Sequence, residues 1–165
     1  MEKNRFTEVY WTMRELALSF TKEKLNGLVP LNGVLSVGME MGFADVHVTV
    51  VASCFGDGSV YLSDGHIIIG GGRFEKVRKS AFELMDRIHR KKFLMRKVDF
   101  PVLPSINEVS FFAITTTGIL SYSVPLETVL NDNDSLADSF RAGQQLLYLM
   151  RQYAEKNKEL KTFSM

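Results

Sequence analysis

A chain of 165 residues, 45% hydrophobic and 24% charged, has the size of one domain and can bury roughly two-thirds of the surface its unfolded form exposes. That ordinary balance excludes wholesale disorder and a fibrous repeat, while a formal net charge of +1 excludes a strong global field toward nucleic acid or an acidic membrane. Cys54 is the single cysteine, so an intramolecular disulfide and a cysteine metal knuckle are excluded as well.

Charged residues occupy the start, Met-Glu-Lys-Asn-Arg-Phe, where a signal peptide needs an apolar core, and no apolar run approaches the ~18 residues of a membrane span. The expectation is one cytoplasmic domain over residues 1–165, with no membrane partner. From Phe6 to Phe20 the apolar residues Phe6, Val9, Tyr10, Met13, Leu16, Ala17 and Phe20 form the stripe of an amphipathic helix. Asn26-Gly27 and Pro30 end it. The glycine-bearing stretch from Asn32 to Phe43 reads as a loop holding a short strand, Val34 to Val37. Val46 to Phe55, Ser59 to Ser63 and His66 to Ile69 are rich in β-branched residues and separated by Gly56-Asp57-Gly58 and Asp64-Gly65, the pattern of an antiparallel meander. Gly70-Gly71-Gly72 leads into a second helix, about Phe74 to Lys92, with Arg90-Lys91-Lys92 in its last turn, where cations suit the helix dipole.

Pro101 and Pro104 mark an extended linker. Val109 to Thr115 and Ile119 to Val124 then form a hairpin across Thr117-Gly118, the first strand apolar on both faces as a central strand requires. Asn131-Asp-Asn-Asp is a polar loop, and Asp134 or Ser135 caps a last helix, about Leu136 to Lys158. The expected class is α+β: an antiparallel sheet of about five strands flanked by three helices, in the order α-β-β(-β)-α-β-β-α.

The stretch Asp57-Gly58-Ser59-Val60-Tyr61-Leu62-Ser63-Asp64-Gly65, followed by Ile68-Ile69-Gly70-Gly71-Gly72 and Val77-Arg78-Lys79, resembles an uncharacterised family of small bacterial proteins. The likeness continues in Val109-Ser110-Phe111-Phe112-Ala113-Ile114-Thr115-Thr116 and Phe140-Arg141-Ala142-Gly143-Gln144, and departs at Asp64, His66 and Ile67, where small residues are expected. It implies a family without an activity. The element order is also similar to the roadblock and profilin-like class, whose members often pair as dimers in regulatory complexes; that likeness is one of topology.

Four features are candidate sites. Gly70, Gly71 and Gly72, with Arg73 beside them and His66 nearby, could present backbone N–H groups to a phosphate or carboxylate; the same glycines also let a strand turn abruptly into a closely packed helix. The segment Arg73 to Lys97 carries ten cations against Glu75, Glu83 and Asp86, either a local anion-binding face or a solvated helix face. His47, His66 and His89 lack zinc-ligand spacing; His47 reads as a partly exposed sheet residue. In the last helix, Phe140, Leu146, Leu147, Leu149, Met150 and Tyr153 make a surface apolar nearly all round, which needs either a partner or a groove within the monomer.

No motif with a stated mechanism supports catalysis, and no cofactor or metal is implied. The expectation is a non-enzymatic protein-interaction or regulatory module, a homodimer or docked on another protein. The alternatives are a small-molecule or anion-binding domain using the Gly70–Arg73 turn, and a bacterial immunity or antitoxin-type protein; a nucleic-acid partner is not expected.

Overall fold

The computed structural model describes residues 6–25, 27–30, 32–156 and 161–163. Among these residues four α-helices, α1 (Glu8–Leu18), α2 (Glu75–Lys91), α3 (Leu126–Leu130) and α4 (Ala137–Lys156), flank one antiparallel sheet. Seven strands lie between Val34 and Pro125: β1 (Val34–Gly42), β2 (His47–Ser53), β3 (Gly58–Leu62), β4 (Ile67–Ile69), β5 (Arg96–Val98), β6 (Glu108–Thr115) and β7 (Gly118–Pro125). The backbone of a short eighth, β8 (Lys161–Phe163), pairs with β4, giving the order β5-β7-β6-β1-β2-β3-β4-β8.

The α+β class and the antiparallel meander match the sequence reading, but the counts differ. The stretch read mostly as a loop is β1, a nine-residue strand buried at every position, paired with β2 on one side and β6 on the other. Its glycines serve packing. A Cβ on Gly38 would enter the ring of Phe112 across the strand pair, and one on Gly42 would strike the carbonyl of Ser105. The linker before Pro101 contains β5, and α3 follows β7 directly. Of the expected boundaries, Asn26 and the end of the last helix at residues 157–158 lie outside the described residues.

Both faces of the sheet are covered. On one, α2 and α4 pack over Val37, Met39, Val50, Val60, Phe111 and Ala113; on the other, α1 packs over Leu35, Val51, Tyr61, Phe112 and Ile114. Central strands therefore bury side chains in both directions, as the two-sided apolar pattern of β6 predicts. Thr7 caps α1 by accepting from the Tyr10 amide. The buried face of this helix differs from the expected stripe: Leu16 is exposed, while Arg14 is buried beside Tyr10 and Leu18.

Arg14 is accommodated because Glu40 stands opposite it on β1. Nε and Nη2 of Arg14 each donate at 2.8 Å to one carboxylate oxygen, and Nη2 also donates to the Pro101 carbonyl at 2.8 Å. Thr49 Oγ1 donates to Glu40 at 2.9 Å, which leaves Tyr10 OH as the donor in its own 2.9 Å bond to Thr49. Burial, and then the Glu40 charge, push the Tyr10 phenol well above its ordinary pKa. For Arg14, burial opposes the charged form, but the Glu40 bonds and charge outweigh it and the guanidinium is held more firmly protonated.

A candidate docking groove beside the last helix

Gly143 sets the path of α4. A Cβ there would meet Sδ and Cε of Met39 of β1, so glycine gives the helix its close approach without displacing that side chain, and α4 then runs over β3 and β4. At one corner of this face the cover is incomplete: Met41, Val48 and Ile68 are themselves buried, but an open groove lies over them. Met41, Val48, Leu62 and Ile68 form the floor of an open groove of about 620 Å³, with Phe43 and Val46 of the β1–β2 turn and Leu147 of α4 as walls. The floor follows from register: Met41 pairs with Val48, and Val48 with Leu62, so three neighbouring strands point apolar side chains the same way.

Polar groups stand only at the rim. Gln144 Nε2 lies 3.1 Å from Met41 Sδ, Arg151 is exposed one turn beyond Leu147, and His66 meets Asp64 across the turn at 2.8 Å between Nδ1 and Oδ1. Partial burial alone would raise the Asp64 carboxyl; the His66 hydrogen bonds and charge outweigh it and hold the group below its ordinary value.

Two groups of candidate residues meet here in part: His66, read as a ligand residue, and Leu147, read as an interface residue, line the same groove. The rest of the expected interface does not face outward. Phe140, Leu146, Leu149 and Met150 are core residues against the sheet and α2, and Tyr153 stacks on Phe74 with ring centroids 4.6 Å apart. The helix is apolar nearly all round because it is wedged between α2 and the strands, the monomer-covered alternative. Its outward apolar residues are Leu147 and Tyr148, the latter 59% exposed.

The glycine turn lies apart from this groove. Gly70 adopts a left-handed conformation, and a Cβ on Gly71 would strike Met150 and Val77, so the turn brings β4 tightly onto the start of α2. The amide of Gly72 donates at 2.8 Å to Asp57 Oδ1, which also accepts from Gly58 at 3.0 Å. A carboxylate of the chain itself thus holds a donor that an anion would need. Arg73 lies over the ring of Phe74, 5.3 Å from its centroid.

His47 departs from the expected half-exposed sheet position. It is buried, its Nε2 is 2.8 Å from the Pro104 carbonyl, and its ring packs on Phe6, because the segment leading to β6 crosses that side of the sheet. Along α2, three of the six Lys and Arg side chains are paired with carboxylates one turn away, as Lys79–Glu75, Arg87–Glu83 and Arg90–Asp86. Among the described residues no group of three or more His, Cys, Asp or Glu could hold a metal ion, and no helix is long and apolar enough to cross a membrane. Sequence reasoning missed Met41, Phe43, Val46, Val48, Leu62 and Ile68 as site residues, since apolar strand positions carry no sign of which ones a helix will leave uncovered. No family model, curated protein or solved structure matches the chain.

Proposed function

We propose that the chain is a non-enzymatic protein-interaction module that self-associates through the groove and the outward face of α4. The carrying observation is the groove itself: seven apolar side chains from four strands, a turn and a helix share one open concavity, with charges confined to its rim. Leu147 and Tyr148 continue that surface on the helix, and Gln144, Leu147 and Arg151 border both the groove and the shallow depression running toward Lys156. A two-fold dimer presents one patch twice, so a single self-complementary surface is sufficient. The helix, sheet and helix layering supports the likeness to roadblock and profilin-like modules, which belongs to the same proposal. The Gly70–Arg73 anion site is the weaker reading, since Asp57 already occupies the Gly72 amide.

Sedimentation velocity on the purified chain, from sub-micromolar to tens of micromolar, tests this reading. The expected result is a concentration-dependent dimer that Leu147→Asp converts to monomer; because Leu147 packs in part against the core, Tyr148→Asp, at a position 59% exposed, repeats the test without lowering Tm. A strict monomer throughout that range, or a dimer indifferent to Leu147→Asp, would overturn it.

A further inference from the structure

The net charge of +1 conceals a concentrated feature where α2 ends. Residues 90–97 read Arg-Lys-Lys-Phe-Leu-Met-Arg-Lys, and from 90 to 102 Asp99 is the sole acidic residue. Lys92–Leu94 form a single 3-10 turn whose next residue, Met95, is anchored in the core. That anchor holds the turn outward. Phe93 is 76% exposed, and Val102, in the segment after β5, is 82% exposed. Leu94 and Val102 flank the same shallow depression beside Arg96 and Val98 on the edge strand β5.

The cations here differ from those along α2. Arg90 is paired with Asp86 and Lys92 Nζ reaches the Asn32 carbonyl at 3.3 Å. Lys91, Arg96 and Lys97 have no carboxylate partner among the described residues. An exposed apolar turn with Lys91, Arg96 and Lys97 close to it in sequence adds nothing to the core. From these observations we infer that the Lys92–Leu94 turn and its flanking basic residues dock the protein peripherally on an anionic lipid bilayer. Phe93 and Leu94 enter the boundary between headgroups and acyl chains, and Lys91, Arg96 and Lys97 meet the lipid phosphates.

Shape and composition favour a bilayer over other anions. Single-stranded nucleic acid is held in a basic groove with several stacking rings, whereas this feature is one projecting turn with one ring at its apex. An acidic peptide would be held by charge alone and would make no use of Phe93. The expectation of no membrane partner rested on the lack of a spanning segment and on the global charge, and neither bears on a peripheral contact. The feature also shares no residue with the α4 groove. Asn32, against which Lys92 rests, precedes the start of β1 and Phe43 follows its end, so the two surfaces lie at opposite ends of a strand roughly 30 Å long.

Co-sedimentation of the full chain with vesicles tests the inference, comparing phosphatidylcholine alone with phosphatidylcholine mixed with phosphatidylserine. The expected result is binding to the mixed vesicles only, weakening as salt is raised. Phe93→Ser should reduce the partition coefficient about tenfold, the transfer worth of one large apolar side chain, and the double variant Lys91→Glu/Lys97→Glu should abolish binding. Phe93 is exposed, so unchanged thermal unfolding of Phe93→Ser verifies that the fold is intact. Absence of binding to the mixed vesicles would overturn the inference. Binding that survives Phe93→Ser in full would overturn it too, and would assign the cations to an acidic macromolecule instead, as would equal binding to soluble polyglutamate.

Discussion

Glutamine at position 40 offers a sharp test of how the helix on the far face is held. Arg14 is 2% and Glu40 0% exposed, and the carboxylate accepts both parallel guanidinium bonds as well as the Thr49 hydroxyl. Glu40→Gln preserves size and removes the negative charge, leaving the guanidinium buried with only neutral acceptors, the new amide oxygen and the Pro101 carbonyl. Removing one partner of a buried pair costs about 3–5 kcal/mol because the other charge stays desolvated. For a domain of this size that lowers Tm by roughly 10 °C. Arg14→Met/Glu40→Leu removes both charges and fills similar volume, so it should recover most of that loss. Urea unfolding followed by circular dichroism measures both. A Glu40→Gln chain within about 1 kcal/mol of the parent, or a double variant as unstable as the single one, would show that the pair is not held in a desolvated site.

Gly38→Ala should cost about 1–3 kcal/mol by overpacking, since the added methyl meets the Phe112 ring; Phe112→Leu in the same chain should return part of it, and a neutral Gly38→Ala would refute the close-approach reading. Tyr122 provides a pH test. Desolvation first, then the Asp134 carboxylate that accepts its hydroxyl at 2.7 Å, push the phenol up to about 12 from an ordinary value of 10.0. Its folded pKa is raised, so the associated stability is complete below about pH 10 and is lost as pH rises toward 12. Ultraviolet titration should show one tyrosine step moving down in Asp134→Asn, and an unmoved step would refute the assignment.

What the sequence made legible was whatever depends on local pattern. The meander from β2 to β4 was evident because Gly56-Asp57-Gly58 and Asp64-Gly65 supply turn chemistry between β-branched runs, and α2 was evident because Val77, Ala81, Leu84, Met85 and Ile88 repeat at helical spacing and are all buried. Long-range pairing was not legible. The glycines of β1 look like loop residues until Phe112 and Ser105 are placed against them, and Arg14 looks like a solvent residue until Glu40 arrives from 26 positions away. The same limit hid the groove. His66 and Leu147 carried separate signals, and only the crossing of α4 over β3 and β4 joins them.

That crossing is also why the exposed corner is a consequence of the fold and not an accident of composition. Gly143 lies close against the Met39 side chain of β1, and Met150 of α4 lies close against Gly71 of the glycine turn, so α4 contacts the sheet and the turn at two separate points. Met41, Val48 and Leu62 lie side by side in the ladder and so face the same way, with Gln144 of α4 reaching Met41. Met41 and Val48 are core residues, and the half-buried Phe43, Val46, Leu62 and Leu147 leave part of their apolar surface at the groove. That residual apolar surface acquires a physical rationale once a second apolar surface covers the groove.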